Sequence, residues 1–181
     1  MIARAFLVIV CLVSLAACAA LGVKTEGVSG PVAWQATDLE LSRQSVNNRD
    51  VWTYSFSVLL QEQQGVRLVF NEIQATVYQP GINPWSPTYN GVWTLEPKGK
   101  MRIPLQVSVT CPFGAGGACS GPTVPTPLWQ LTLRGKNDQG RPVSIVIDIT
   151  LPADPSAAPA VSSKSVPAID LVKPSAPGRG P

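Results

Sequence analysis

The chain has 181 residues, of which 45% are apolar and only 14% charged, and its formal net charge is +3. Pro (18) and Gly (15) make up about 18% of the chain, against roughly 12% in average usage, which indicates many turns rather than a helical bundle. Histidine is absent, which excludes His-based catalytic triads and His-containing metal sites, and a charge so close to zero gives no electrostatic case for nucleic acid.

The first 17 residues have the pattern of an export signal. Arg4 precedes an apolar run from Ala5 to Leu15. This run is too short to cross a hydrocarbon core, which takes about 20 residues in a helix, but it suits the apolar region of a signal peptide. It ends in Leu15-Ala16-Ala17-Cys18, which resembles the lipobox of bacterial lipoproteins.

The resemblance implies that Cys18 carries a diacylglycerol and that the signal is cut before it. The chain would then be held on a membrane by its acyl groups, palmitate among them. An aspartate after the lipid cysteine resembles an inner-membrane retention signal, but here the residue is Ala19. The expected location is therefore the outer membrane, facing the periplasm. The alternative is an ordinary signal cut beyond Ala20, with an incidental cysteine.

The remaining cysteines form an even pair. Cys11 leaves with the signal and Cys18 takes the lipid, so Cys111 and Cys119 are left in an oxidising compartment, where disulfides persist. Without histidine, two thiols at this spacing make a poor zinc site, and the intervening Gly-Ala-Gly-Gly does not belong to a redox C-x-x-C motif. We therefore expect a disulfide between Cys111 and Cys119.

Residues 18–30 are small, polar and Gly-rich, and we expect a flexible tether there. From 31 to 152 apolar and polar residues alternate with period two, the pattern of half-buried strands. A change of parity near Asn71 predicts a β-bulge, Pro104 predicts an edge strand, and residues 137–140 predict a hairpin turn. The predicted strands are Trp34 to Arg43, Trp52 to Leu60, Val66 to Val77, Gly91 to Glu96, Met101 to Val109, Trp129 to Leu133 and Val143 to Leu151.

About seven such strands favour a single all-β domain, an antiparallel two-layer sandwich. The pattern is similar to immunoglobulin-like and fibronectin-type domains, although the cysteines would staple one loop instead of joining the sheets. A small β-barrel is the alternative, because period-two patterning does not report whether a sheet closes. After Pro152 the chain is rich in Pro, Ala and Ser, so residues 153–181 are predicted to be a disordered tail. A short apolar island, Val166 to Val172, could dock somewhere.

One proline-rich segment, Gln79 to Val92, is a candidate binding surface. It holds Trp85 and Tyr89 among polar residues, and rigid aromatics on a strand loop suit a sugar ring or an apolar side chain of a partner. The alternative is that Trp85 folds back as a lid over the open end of the sandwich.

Charged side chains give weaker signals. A small basic cluster, made of Lys98, Lys100 and Arg102, could meet anionic head groups or simply protect an edge strand from aggregation. Asp38 and Glu40 share a strand face. The carboxylates Glu62 and Glu72 lie in turn regions, and Asn47, Asn48 and Asp50 form a turn whose side-chain oxygens could bind calcium.

These observations favour a non-enzymatic, lipid-anchored interaction module that binds another envelope protein or the cell wall. The alternative is a glycan-binding module that uses Trp85 and Tyr89, and a hydrolase built on Asp, Glu or Ser alone is a third hypothesis. We expect no catalytic residues, no cofactor and no metal.

Overall fold

The computed structural model describes residues 23–46, 49–79, 82–112, 128–152 and 163–171. Within these ranges the chain forms β-strands joined by turns, and no helix there is long and apolar enough to span a membrane. The strands are β1 (Glu26–Ser29), β2 (Val32–Val46), β3 (Arg49–Glu62), β4 (Leu68–Gln79), β5 (Ile82–Trp85), β6 (Thr88–Leu95), β7 (Lys100–Pro112), β8 (Leu128–Asn137) and β9 (Pro142–Thr150).

The strands form two antiparallel sheets. The first has the order β1-β2-β3-β7, and the second has the order β5-β4-β8-β9. Strand β6 also pairs with β4. Because β8 occupies one side of β4, the short strands β5 and β6 follow each other along its opposite side. The described strands do not close into a barrel. The predicted two-layer sandwich is therefore confirmed, and the alternative of a small β-barrel is wrong.

The core lies between the two sheets, where alternate side chains of each strand point inward. From β3 these are Tyr54, Phe56, Val58 and Leu60, all buried. Phe56 meets Trp129 of the other sheet edge to face, with ring centroids 4.9 Å apart. Each large side chain buried in this way contributes about 1.5–3 kcal/mol relative to leaving it exposed, so the period-two pattern is also the energetic basis of the fold.

Three local predictions are confirmed. The register of β4 slips between Phe70 and Glu72 against both of its neighbours, which is the β-bulge expected near Asn71. Pro104 lies in β7, which is an edge strand of the first sheet. Proline has no backbone N–H, and at an edge this costs no hydrogen bond to a neighbouring strand. Residues 137–140 form the turn between β8 and β9, where Asn137 Oδ1 accepts the backbone N–H groups of Gln139 and Arg141.

Two short strands were not predicted. β1 lies within the proposed tether and pairs with β2 through a turn at Gly30, whose φ of 56° suits glycine. Just before it, Lys24 exchanges two backbone hydrogen bonds with Thr150 at the end of β9. Residues 24–30, which were predicted to belong to the tether, therefore already pack on the domain. The second unpredicted strand, β5, lies in the segment expected to be a loop.

Several predicted features lie outside the described residues: the signal, Cys18, Cys119, and the turn residues Asn47 and Asn48. Cys111 lies in β7 and Asp50 in β3, where the backbone alone is described. The lipid anchor, the disulfide and the calcium turn therefore stay predictions.

Candidate functional site

A C-terminal segment crosses the outer face of the first sheet. We call residues 163–171 the strap. They fall within the stretch predicted to be a disordered tail, and they include most of the apolar island at 166–172. At its first residue, the Ser163 hydroxyl lies 2.8 Å from Thr37 Oγ1 and donates to Asp38 Oδ2 at 2.6 Å. The Ser163 backbone N–H also points at Asp38 Oδ2, at 3.2 Å. One carboxylate thus receives both donors of the strap's first residue.

A bulge in β2 places this carboxylate. The register of β2 against β3 shifts between Thr37 and Glu40, and Asp38 takes a φ of 53°. This left-handed conformation is costly for most side chains, but aspartate and asparagine tolerate it. The bulge lets Asp38 bond to Thr37 and Ser163 on the same side of the sheet.

Arg102 holds the middle of the strap. Its Nε donates to the carbonyl oxygen of Val166 at 3.0 Å, and its Nη1 reaches Ser57 Oγ at 3.5 Å. Its own carbonyl oxygen accepts the backbone N–H of Ile169 at 2.9 Å. Next to this bond, Ala168 forms a parallel β-bridge with Arg102, so the strap adds one step of pairing to the edge of β7.

The end of the strap reaches the second sheet. The indole N–H of Trp93, in β6, donates to the carbonyl oxygen of Asp170 at 3.3 Å. Ile169 and Leu171 are half-buried and pack against the core. The strap therefore runs from β2 across β3 to the edge of β7 and then to β6, where it covers the side of the sandwich between the two sheets.

Burial beneath the strap supports this path. Thr37 and Ser57 are paired across β2 and β3, and Ser57 alternates with the inward-facing Phe56 and Val58. Even so, Thr37 is only 1% exposed and Ser57 only 4% exposed. Hydroxyl residues on the outer face of a sheet are usually exposed to solvent. We therefore attribute the burial of Thr37 and Ser57 to the strap that lies over them.

A cleft of about 590 Å³ continues from the strap along the outer face and the β7 edge. Its charged groups have both signs: Asp38, Glu40 and Asp170 on one hand, and Arg102 and Lys164 on the other. Burial raises the pKa of the Tyr89 phenol, so this group stays a neutral hydrogen-bond donor at physiological pH. The other lining residues are Ser55, Phe56, Ser57, Pro104, Leu105, Gln106, Ile169 and Leu171. Mixed charge and an open shape suit a polar, extended partner.

The two predicted aromatic contacts are separated. Tyr89, in β6, is half-buried, packs on the core and lines the cleft. Trp85, in β5, is 49% exposed and lies outside the lining of that cleft. Half of the Trp85 surface stays in solvent, and its predicted role as a lid stays a prediction. The structure thus places a free aromatic surface on the edge of the second sheet.

The predicted basic cluster is divided among separate contacts. The Lys98 amine donates to the carbonyl oxygen of Gln63, whereas Arg102 is engaged with the strap. Lys100 is exposed at the start of β7. Lys98 and Arg102 are thus engaged in different contacts, and Arg102 has a more specific role than the sequence predicted.

Glu62 is a structural anchor. Its side chain is fully buried, and its two oxygens accept the backbone N–H groups of Gln64 at 2.6 Å, Gly65 at 2.7 Å and Lys98 at 2.9 Å. Burial raises the pKa of this carboxyl, but the backbone donors outweigh that effect and hold the pKa below its usual range. The carboxylate ties the turn after β3 to the turn before β7.

The other three carboxylates singled out in the sequence lie at two separate places. Glu72, beside the β4 bulge, forms an ion pair with Arg134 of β8. Asp38 and Glu40 both border the cleft, as expected from their shared strand. Within the described ranges, no group of three or more Asp, Glu or Cys side chains is placed to hold a metal ion.

Comparisons with known proteins concern the fold alone. No protein-family model and no curated protein matches this chain. A solved structure described as "X-ray structure of Northeast Structural Genomics Consortium target SoR45" is similar to it, with a TM-score of 0.51 and 10% sequence identity. The similarity covers 72% of this chain and 92% of that chain. A related backbone arrangement therefore extends over nearly all of the other chain.

Proposed function

We propose that the protein is a lipid-anchored component of the bacterial cell envelope, and that its sandwich binds another envelope protein. One observation carries the binding role: the edge of β7 and the adjoining outer face hold a separate polypeptide segment, the strap, by hydrogen bonds that mostly use the strap's backbone atoms. Exposed sheet edges recognise extended chains in this way in many peptide-binding domains.

The proposed anchor would keep the sandwich close to the membrane. The lipobox-like Leu15-Ala16-Ala17-Cys18 supports lipidation at Cys18. Packing on the domain begins at Lys24, which bonds to Thr150. A chain from Cys18 to Lys24 spans at most about 20 Å when fully extended. A partner would therefore be met within a narrow layer next to the bilayer.

Replacement of the lipid cysteine tests the anchor. We expect Cys18→Ser to abolish incorporation of labelled palmitate and to move the protein out of the detergent-rich phase on Triton X-114 partitioning. Cys11→Ser is the matched control, because this cysteine would leave with the signal, and it should retain both properties. Labelling that survives Cys18→Ser would contradict the proposal.

Site-specific photo-crosslinking in the native host tests the binding role. A photoreactive residue at Gln106, which is exposed on β7 and borders the cleft, should give one discrete protein adduct. Val146 is the control: it is also exposed but lies on β9, at the far end of the second sheet. Adducts at both positions alike, or only intramolecular products at Gln106, would count against a protein partner on the β7 edge.

Cell-wall glycan is a second candidate ligand, favoured by the exposed indole of Trp85. Aromatic side chains stack on the apolar faces of sugar rings because both surfaces are flat and poorly hydrated. If this reading holds, isothermal titration with soluble cell-wall fragments should give heat that Trp85→Ala removes, while Val146→Ala leaves it unchanged. Absence of heat with the unmodified protein would exclude it.

A further inference from the structure

The domain grips the strap mainly by backbone atoms. Asp38 accepts the N–H of Ser163, and Arg102 binds the carbonyl of Val166 and the N–H of Ile169. Trp93 donates to the carbonyl of Asp170. Backbone carbonyls occur in every residue and backbone N–H groups in every residue except proline. Another segment that makes the same turn and then continues as an extended chain could therefore form the same four bonds.

Three strap side chains add sequence preference. The Ser163 hydroxyl fits between Thr37 and Asp38. Ile169 and Leu171, two positions apart, point to the same side of an extended chain and pack against the core. The strap begins with a turn, because the Ser163 carbonyl oxygen accepts the Val166 N–H at 2.8 Å. The preferred occupant is thus a segment with a hydroxyl residue at the first position of such a turn and aliphatic residues six and eight positions later.

Departure of the strap would leave the domain intact. The hydrogen-bonded pairing among strands β1 through β9 does not include the strap. What it covers on the outer face are the hydroxyl residues Thr37 and Ser57, and water can solvate these groups when they are uncovered. Release would also uncover the apolar surface beneath the half-buried Ile169 and Leu171, so its free-energy cost comes mainly from these two side chains.

A longer segment could pair with more of β7 than the strap does. Arg102 turns its carbonyl toward the free edge, and backbone groups alternate along a strand, so those of Gln106 and Ser108 face the same edge. Among the described residues, the strap pairs with this side of β7 only at Arg102 before it turns to Trp93. An intermolecular segment can therefore gain ladder bonds that the strap lacks.

We propose that Asp38, Arg102 and Trp93 form a peptide-binding groove that the strap occupies within its own chain, and that a segment of a partner polypeptide with the same residue pattern and the same initial turn displaces it. This inference rests on the proposed function and names the chemistry of the partner. The strap acts as a resident competitor, which lowers the apparent affinity of the groove for the partner.

A labelled nonapeptide tests the groove. The probe is Ser-Lys-Ser-Val-Pro-Ala-Ile-Asp-Leu, identical to residues 163–171, and the protein is the full chain in detergent. We expect Ile169→Lys, which unseats the strap but leaves the groove unchanged, to bind the probe at least about tenfold more tightly than the unmodified protein by fluorescence anisotropy. Ser165→Lys is the matched control: it places the same side chain at an exposed strap position and should behave like the unmodified protein.

Two outcomes would overturn the groove: no binding of the probe to any protein, or equal binding to the unmodified protein and to Ile169→Lys. A probe with lysine in place of its isoleucine should not bind. Failure here combined with a discrete adduct at Gln106 would reject the groove but leave the proposed function standing.

Hydrogen exchange of the unmodified protein gives a test that does not depend on how a variant folds. If the strap opens by itself, the Ile169 amide should exchange at least about 100-fold faster than the Leu131 amide in the central strand β8, because local opening needs less free energy than global unfolding. Equal protection at the two amides would show that the strap separates only when the whole domain unfolds, and would overturn the proposal.

Discussion

The carboxylate of Asp38 and residue Ser163 are 125 positions apart in sequence, yet Asp38 Oδ2 accepts both the Ser163 hydroxyl at 2.6 Å and its backbone N–H at 3.2 Å. The bulge in β2 makes this pairing possible, because it sets Asp38 at a φ of 53° beside Thr37. Hydrogen bonds to an ionised acceptor are about twice as strong as neutral ones. A single side chain thus holds Ser163 against the outer face of the first sheet.

Asp38→Asn should loosen the strap without unfolding the sheets. Asparagine tolerates the same left-handed backbone, but its neutral amide weakens the two bonds to Ser163. A loss of about 1.4 kcal/mol corresponds to a tenfold change in an equilibrium. We therefore expect the Ile169 amide to exchange about tenfold faster, with the Leu131 amide unchanged, as measured by hydrogen exchange and NMR.

Asp148→Asn provides the matched control for that experiment. Asp148 lies on β9, is exposed, and accepts a hydrogen bond from Gln130 at 3.0 Å. The same chemical change there should leave the Ile169 amide at its original rate. If Asp38→Asn also left that rate unchanged, the carboxylate would have no part in holding the strap.

Glu62→Gln should lower the melting temperature by about 5 °C at pH 7. An amide cannot accept all three backbone N–H groups of Gln64, Gly65 and Lys98, because its NH₂ end is itself a donor. Glu26→Gln, on the exposed strand β1, is the control and should melt like the unmodified protein. Thermal unfolding followed by circular dichroism measures both variants.

The same carboxylate predicts a pH dependence with a definite sign. Because the pKa of Glu62 is lowered in the folded protein, its stabilisation is fully present above the unfolded pKa, about 4.3. That contribution is lost as the pH falls through the folded pKa. The gap in melting temperature between Glu62→Gln and the unmodified protein should therefore shrink below pH 4. A gap that stays constant down to pH 2 would show that the charge is not the stabilising feature.

The strands were predictable because their signal is local. Alternation at Phe56, Val58 and Leu60 reports which face of β3 is buried, and the change of parity around Asn71 reports the bulge. Such patterns depend on a few neighbouring residues and on one buried surface. The order of the strands in the two sheets depends on long-range pairing, and nothing in a single strand's sequence specifies it.

The strap and the role of Arg102 were not predictable in the same way. The composition of residues 153–181 suggests disorder because few side chains there can be buried, yet the strap is held by its backbone and by partners far away in sequence. The spacing of Ile169 and Leu171 was the one local signal, since both fall in the apolar island at 166–172. The burial of Glu62 was hidden for a similar reason: its partners are backbone N–H groups, which every sequence contains.

Gly135→Ala should destabilise the second sheet strongly. A Cβ at this position would lie 2.0 Å from the carbonyl oxygen of Val69 and 2.7 Å from the Cα of Phe70, at the β4 bulge. Backbone atoms cannot move aside as a flexible side chain can, so we expect a loss of about 3 kcal/mol or more in the free energy of unfolding. Urea denaturation measures this loss.

A second glycine separates close contact from conformational strain. A Cβ at Gly140, in the β8–β9 turn, would meet nothing within 4 Å, although its φ is 73°. Gly140→Ala therefore reports the cost of the left-handed backbone alone, about 1 kcal/mol. Equal losses for the two alanine variants would mean that the close approach of Gly135 to β4 relaxes at little cost.

The predicted disulfide between Cys111 and Cys119 should stabilise the exported protein. In the chain-entropy model, closing so short a loop contributes roughly 2.6 kcal/mol. Reduction with dithiothreitol should therefore lower the melting temperature, and the double variant Cys111→Ser/Cys119→Ser should match the reduced protein and be insensitive to the reductant. A thiol assay on protein purified from the envelope gives the deciding measurement. Two reactive thiols at these positions under denaturing conditions would show that the bond does not form.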